Sequence, residues 1–446
     1  MTKHKLHRVL GRFDVLALAF GAMIGWGWVI LAGSWAAQGG VVGAALAFLV
    51  GGTAICMIGL TYAELASALP FVGGEHVYTQ RAFGDAAAFV CTWSIIFGYV
   101  AVVAFEAIAL PIAAANLVPN FQQIPLWTIA AYQVHGTEVV LGGLVAAGIT
   151  WLNIHGIRLA ARVQAIAVGS IVAAGALLMA GGVVTISSPH EAFNLWGGAR
   201  GFLSVLIMVP FLFVGFDVIP QSAEEITVPR RDIGRVLVRS ILFAILFYIL
   251  VVVAVGLAPP VAAKTGLVTA LAAGKALNAP AVGTFIVLAG IGGILTSWNA
   301  FLIGGSRAIY ALARAGHLPD FLGELHPRFG TPWRAILTIG FVSVLAPVLG
   351  RSALVWIVDA GGFSIVIAYV FVAAAFIALR RKEPDLARPY RAPGGKATGW
   401  SALVLGLGLS ALYLPWSPSA LLWPQEWAWL IIWGILGAFF WIRHKR

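Results

Sequence analysis

Phe20-Gly21-Ala22-Met23-Ile24-Gly25-Trp26-Gly27-Trp28 lies in the middle of an apolar run from about Phe13 to Ala37. That run is long enough to cross a bilayer. Three of its residues between 21 and 27 are glycine, although Gly costs roughly 1 kcal/mol against Ala inside a helix. Unwound backbone at membrane depth is tolerated only where protein or a water-filled cavity satisfies it. The stretch is therefore either a close packing face or a deliberate helix break. About half a chain later, Phe211-Leu212-Phe213-Val214-Gly215-Phe216-Asp217 joins a Gly to a carboxylate inside another apolar run. Glycines alone read as small-residue packing. Two interrupted runs at corresponding places in two halves point instead to a transporter built from inverted repeats.

Composition sets the class. The 446 residues are 61% hydrophobic and only 10% charged, and the charges cluster between long apolar runs. This excludes an ordinary soluble domain and indicates an all-α polytopic membrane protein. The alternating short segments of a β-barrel are missing. The first run is too long for a cleaved signal and lacks a small-residue cleavage site. Cys56 and Cys91 both fall in apolar runs and read as small packing residues.

We read twelve transmembrane helices: Phe13–Gln38, Val41–Leu69, Ala86–Leu117, Val139–Ile154, Val163–Ile186, Leu203–Ala223, Val236–Leu257, Val282–Leu312, Ala335–Leu349, Ala353–Leu379, Trp400–Leu414 and Trp427–Ile442. With the N-terminus inside, all but four of the 28 lysines and arginines fall in cytoplasmic segments, the exceptions being Arg200, Lys264, Lys275 and Arg351. This is the positive-inside bias, and it leaves both termini in the cytoplasm of a cell or inner membrane. It also accounts for the net charge of +11 without nucleic acid.

Several pieces then match one family in order and spacing along nearly the whole chain. They are Gly21-Ala-Met-Ile-Gly25-Trp-Gly27, Tyr62-Ala-Glu64, Pro70-x-x-Gly73-Gly74, Gly215-Phe-Asp217, Ala223-Glu224-Glu225 and Pro229-Arg-Arg-Asp232. They continue with Ser306-Arg307-Ala-Ile-Tyr310, His326-Pro327 and Arg380-Arg-Lys-Glu383-Pro384. The chain resembles the amino acid–polyamine–organocation permeases. The resemblance implies a five-plus-five inverted repeat, with spans one to five in residues 1–200 and spans six to ten in residues 201–380. Two peripheral spans follow in residues 381–446. The first and sixth spans would be broken at mid-membrane, and the protein would carry an amino acid or organic amine by alternating access.

An amino acid zwitterion needs two opposite polar partners in a low-dielectric place. A half-helix N-terminus offers free N–H groups to the carboxylate, and a half-helix C-terminus offers carbonyls to the ammonium. By resemblance, Ala22, Met23, Gly25, Trp26 and Gly27 line the carboxylate end. Phe211, Phe213, Val214 and Gly215 supply carbonyls and an aromatic wall, and Phe301 faces the pocket. Trp26 departs from the family, which usually has a small residue there. It either shrinks the pocket, offers a π face to an alkylammonium, or packs against a neighbour. Asp217 and Glu106 are intramembrane acids, and so candidates for amine binding, proton transfer or gating, or else hydrogen-bonded structural groups. Glu64, Glu224 and Glu225 read as inner ion-pair partners of nearby arginines, and Asp359 as a polar group of an outer gate.

No nucleotide-binding loop and no nucleophile–base pair or His/Cys cluster stands in the sequence, so neither an ATPase nor a membrane enzyme is indicated. Coupling then falls to a proton, sodium or a second substrate, and no cofactor is called for. Some proton-coupled members use a lysine in the fifth span, where this chain has none; its expected neighbourhood holds Ser170 and Ile171. Sodium would draw on first-span carbonyls with Thr296 or Ser297. The partners implied are the substrate, the lipid bilayer and a second copy in a homo-oligomer. Three functions remain open: a small-amino-acid transporter, an amine or polyamine carrier, and a transporter-like membrane scaffold or sensor.

Overall fold

The computed structural model describes residues 6–186, 194–257, 269, 273–274, 277–417 and 420–444. In chain order the helices are α1 (Arg12–Met23), α2 (Gly27–Ala68), α3 (Glu75–Phe83), α4 (Asp85–Ala115), α5 (Gly136–Ile154), α6 (Ile157–Ile186) and α7 (Gly198–Leu212). Then come α8 (Val218–Gln221), α9 (Arg230–Leu257), α10 (Pro280–Arg314), α11 (Trp333–Leu345), α12 (Gly350–Lys382), α13 (Lys396–Ala411) and α14 (Gln425–His444). Among the described residues, eight helical stretches are long and apolar enough to cross a membrane. Two of these contain a sharp bend. In α2 the chain turns at Gly40, where φ is +69°; between α11 and α12 it turns at Gly350, where φ is +70°. Both are left-handed positions that favour glycine.

One feature departs from the all-helical expectation. Strands β1 (Pro125–Ile129) and β2 (Tyr132–His135) form an antiparallel hairpin between α4 and α5. Ala130 and Ala131 both take positive φ, 46° and 65°, as a tight hairpin turn of this hand requires. Its residues are mostly β-branched or aromatic, with Trp127, Thr128, Ile129, Tyr132 and Val134, which suit a short ribbon outside the apolar runs.

Small residues let the helices approach closely. A β-carbon on Gly98 of α4 would lie 2.1 Å from Ile365 of α12, and one on Gly59 of α2 would lie 2.2 Å from Ile241 of α9. In a lipid environment such backbone proximity, through van der Waals contact, is what drives helices together.

The basic face is locked by ion pairs. Arg307 is fully buried, and its Nε and Nη2 donate to the two carboxylate oxygens of Glu225 at 2.9 and 3.0 Å. Glu64 accepts from Arg380 Nε at 2.9 Å and lies 3.2 Å from Arg388 Nε. It also accepts the Ala392 amide. Glu224 instead accepts the backbone amide of Val72 at 3.2 Å. The segment before α1 is stitched to the chain beyond α8. Val9 and Leu10 amides donate to Glu225 O, and Thr227 N donates back to Leu10 O. Arg8 donates twice to Ile226 O, and Arg12 pairs with Asp232.

Candidate functional site

Helix α1 stops at Met23 and α2 starts at Gly27, with Ile24, Gly25 and Trp26 between them. Helix α7 stops at Leu212, two residues after Pro210, and α8 resumes at Val218. Proline removes the N–H of its own position and clashes with the preceding turn, so a helix containing it is weakened there. The two interruptions meet. Gly215 has φ of +131°, and a β-carbon there would sit 2.5 Å from Ala22 Cβ. On the other side, Gly290 and Gly293 of α10 make room for the first break. A β-carbon on Gly293 would lie 2.7 Å from Gly25 O, and one on Gly290 would lie 2.4 Å from the Trp26 indole.

Carbonyls along α1 from Ala17 onward are claimed by side chains from three helices. Tyr248 of α9 donates its hydroxyl to Met23 O at 2.8 Å, and Thr296 of α10 donates to Gly21 O at 2.9 Å. Gln164 of α6 donates to Ala17 O at 3.3 Å. Asn299 in turn donates to Gln164 Oε1, and Asn153 to Asn299 Oδ1, both at 2.9 Å. From α6, Gln164 thus bonds to α1 and Val168 packs beside Gly21, while Ser170, in the neighbourhood where some members carry a lysine, bonds back to its own helix at Ile166 O.

Beside the junction is a cavity of about 500 Å³, within the range of small-molecule sites. Of the residues expected at the site, Ala22, Met23, Gly25, Trp26, Gly27, Phe211, Val214, Phe301 and Glu106 line it. Phe213, Gly215 and Asp217 do not. Phe213 is fully buried against Tyr248, ring centres 5.5 Å apart. Asp217 is fully buried and accepts the Gly215 amide at 2.8 Å and the Tyr99 hydroxyl at 2.7 Å. It serves as an acceptor for the unwound backbone of the second interruption. Glu106 faces the first one: a β-carbon on Gly25 would lie 3.7 Å from Glu106 Oε1 and 3.9 Å from Ser297 Cβ. Its Oε2 is buried without a hydrogen-bond partner among the described residues. In the first turn of α2 the Val29 amide donates to Trp26 O at 3.0 Å, while the N–H groups before it point back along the helix axis with no earlier turn to receive them. Backbone donors and a carboxylate therefore share one wall.

Part of the wall comes from residues the sequence reading assigned to the periphery. Tyr413, Leu421, Leu422 and Glu426, from α13's end to the start of α14, line the cavity together with Asp359 of α12. Glu426 was not singled out in the sequence. The available signal was an acid at the head of the last apolar run, among tryptophans that read as interfacial anchors.

The sequence profile described as amino acid permease matches residues 10–440. The chain is 28% identical over 404 residues to the branched-chain amino acid permease BcaP of Bacillus subtilis, covering 87% of this chain and 84% of that one. It is 25% identical over 403 residues to the methylthioribose transporter of the same organism, with the same coverage. The cationic amino acid transporter 4 of Arabidopsis thaliana shares 28% identity over 397 residues, 86% of this chain and 65% of that protein. These relatives are named for transport, none for catalysis. A profile that spans nearly the whole sequence, over a helical bundle whose interrupted helices border a cavity, leaves one assignment: the chain belongs to the amino acid permease family.

Proposed function

We propose that this permease is a secondary transporter that moves a small amino acid across the cytoplasmic membrane by alternating access. The observation that carries the reading is the cavity at the meeting point of the two interrupted helices, with Gly25–Gly27 backbone on its wall. In this reading the substrate carboxylate takes the N–H groups at the start of α2, and the ammonium turns toward Glu106 and the carbonyls near Val214. Phe211, Phe301 and Trp26 close around the side chain.

The same reading counts twelve spans. The eight long apolar stretches become twelve when α2 is divided at Gly40, with its first part joined to α1 as one interrupted span, the 333–382 stretch is divided at Gly350, and α7 with α8, and α13, are added. Residues 1–200 and 201–380 then form two inverted halves, with 381–446 outside the repeat. The concentration of arginine pairs at Glu64 and Glu225 supports a cytoplasmic placement of that face and of both termini.

For coupling, Thr296 and Gln164 already donate to the α1 carbonyls that a sodium ion would need. Glu106, with one oxygen unpartnered, is the cavity group suited to take up a proton or a substrate amine. A second reading, an organic amine carrier, is favoured by one observation. The described residues lining the cavity include Glu106, Asp359 and Glu426 but no lysine, arginine or histidine.

The test is thermal stabilisation of the purified protein by amino acids and by their decarboxylated amines, since a ligand of the folded state raises the melting temperature by mass action. Stabilisation by amino acids, with the matching amines silent, is the expected result. The reverse pattern would transfer the assignment to amines.

A further inference from the structure

Glu75 opens α3, in the link between the second and third spans, and is fully buried. It meets Gln221, the last residue of α8 and equally buried, whose Nε2 donates to Glu75 Oε2. The other oxygen of each group, Glu75 Oε1 and Gln221 Oε1, is buried with no hydrogen-bond partner among the described residues. Both are acceptors when the carboxyl is ionised. One hydrogen on the carboxyl serves both: the acid O–H donates to the amide oxygen while the amide N–H donates to the acid's other oxygen. Left unpaired in a dry interior, the two oxygens carry the full cost of their desolvation.

No lysine, arginine or histidine forms an ion pair with Glu75 among the described residues. His76, next in sequence, turns to the Thr92 hydroxyl of α4 at 3.2 Å. The titratable groups that face Glu75 are Tyr62 of α2, Tyr78 of α3, Cys91 and Tyr99 of α4, Asp217 before α8 and Tyr369 of α12. None of them is a cation. Burial first, and then the Asp217 carboxyl, holds the Glu75 carboxyl well above the usual carboxylate range.

The pair also sits at a joint. The Gly73 amide donates to Gln221 O at 3.4 Å, and a β-carbon on Gly74 would lie 2.7 Å from Pro220 Cβ. Gln221 is one helical turn beyond Asp217, which accepts the Gly215 amide of the second interruption. Whatever fastens α3 to Gln221 therefore fastens the α8 side of that interruption.

We propose that Glu75 is a proton-binding site: as a neutral acid it clips α3 to α8 through Gln221, and loss of its proton opens the clip. Ionised, Glu75 sets a carboxylate oxygen against the Gln221 amide oxygen with no hydrogen between them, and the joint loosens. The clip lies outside the cavity wall and works alike for any solute the cavity takes.

The test uses the purified full chain without substrate, so its outcome is independent of the transport reading. Glu75→Gln keeps both bonds to Gln221, because an amide donates and accepts as the neutral acid does. In the infrared spectrum at about pH 7, this variant should lose one residue's share of the carboxylic-acid carbonyl band. Unfolded Glu ionises near 4.3, while the folded residue keeps its proton to higher pH. The parent's stability contribution is thus complete below that value and falls about tenfold in the folding constant per pH unit above it, until the folded value is passed. Glu75→Gln has nothing to titrate there, so its melting temperature should exceed the parent's by a margin that widens as pH rises. At about pH 9, peptides covering 73–83 and 213–222 should exchange hydrogen faster in the parent than in the variant.

An acid band unchanged by Glu75→Gln, or a melting gap that does not vary with pH, would mean that Glu75 is ionised at the start of α3, where free N–H groups favour an anion. Either result would overturn the proposal. A widening gap with equal exchange in both segments would make Glu75 a titrating group without a clip, and would overturn it as well. Should Glu75→Gln fail to fold, Gln221→Met decides. It removes both partners of the acid, so the carbonyl band should move in frequency from the parent's, and an unmoved band would sink the idea.

Discussion

Gly215 rests against Ala22, so closely that a β-carbon at 215 would fall 2.5 Å from the Ala22 β-carbon and 3.2 Å from the Met23 amide nitrogen. Residues almost two hundred positions apart thus join the two helix interruptions into one structural unit. Neither break can be widened without moving the other. At φ of +131° the position is also one that only glycine occupies without strain.

Gly215→Ala should therefore lower stability by on the order of 1–3 kcal/mol from backbone strain, with more from the clash. It should also weaken substrate binding, because Ala22 and Met23 line the cavity. Melting temperature and ligand dissociation constants measured side by side check this. An unchanged melting temperature would refute the contact.

Arg307 and Glu225 make a bidentate pair with 0% and 1% of their side chains exposed. Removing one partner strands the other charge, which typically costs about 3–5 kcal/mol. Arg307→Met should be much less stable than the Arg307→Met/Glu225→Met double variant. The unfolding midpoints of the two proteins decide it, and equal midpoints would mean that the pair carries no such penalty.

Trp26 covers Gly290 with its indole while bordering the cavity. Trp26→Ala should enlarge the site and shift preference toward bulkier apolar amino acids, by about tenfold relative to alanine on the usual scale of hydrophobic pocket discrimination. Competition binding with alanine, valine and leucine measures the shift. A variant that keeps the parent's order of preference would show that Trp26 is only a packing residue.

Outside the apolar spans, Arg81 and Glu383 form a forked pair, both bonds at 2.7 Å. Hydrogen bonding from the Arg81 guanidinium, reinforced by its charge, holds the Glu383 carboxyl below the usual carboxylate range. A lowered folded-state pKa stabilises above the unfolded value, near 4.3 for Glu, and the contribution fades as pH falls through the folded value. The melting-temperature gap between the parent and Arg81→Ala should be present at pH 7 and shrink at about pH 4 and below. Both side chains are partly exposed, so the gap is small and should also narrow in high salt. A gap independent of pH would exclude the linkage.

Gln164 ties α6 to Ala17 O of α1 and accepts from Asn299 of α10, while Thr296 ties α10 to Gly21 O. Gln164→Leu leaves buried acceptors without their donor, a loss of about 1–3 kcal/mol. With Thr296 and Gln164 bonded to the α1 carbonyls, exchanging sodium for potassium should leave substrate affinity unchanged. Calorimetric titration in the two salts tests this, and a sodium-dependent constant would mean that an ion displaces these donors.

Much of this protein could be read before any coordinates. Long apolar runs with charge confined between them specify membrane helices, because hydrocarbon excludes both ions and unpaired backbone. Gly25–Gly27 and Gly215 marked the interruptions, because glycine at such places serves no helical purpose. The carboxylates of Glu64 and Glu225 stood near arginines in the pattern of inner ion pairs. Tertiary structure alone decided which residues face the cavity. Asp217 turned inward to cap the Gly215 amide, because an unwound segment in a dry interior must find an acceptor, and nothing local told that use from substrate binding. Gln164 reached the Ala17 carbonyl of α1 from α6, because helical phase across a bundle is set by packing. Glu426 joined the cavity wall from the last helix, because hydropathy shows that a segment spans the membrane and is silent about its neighbours.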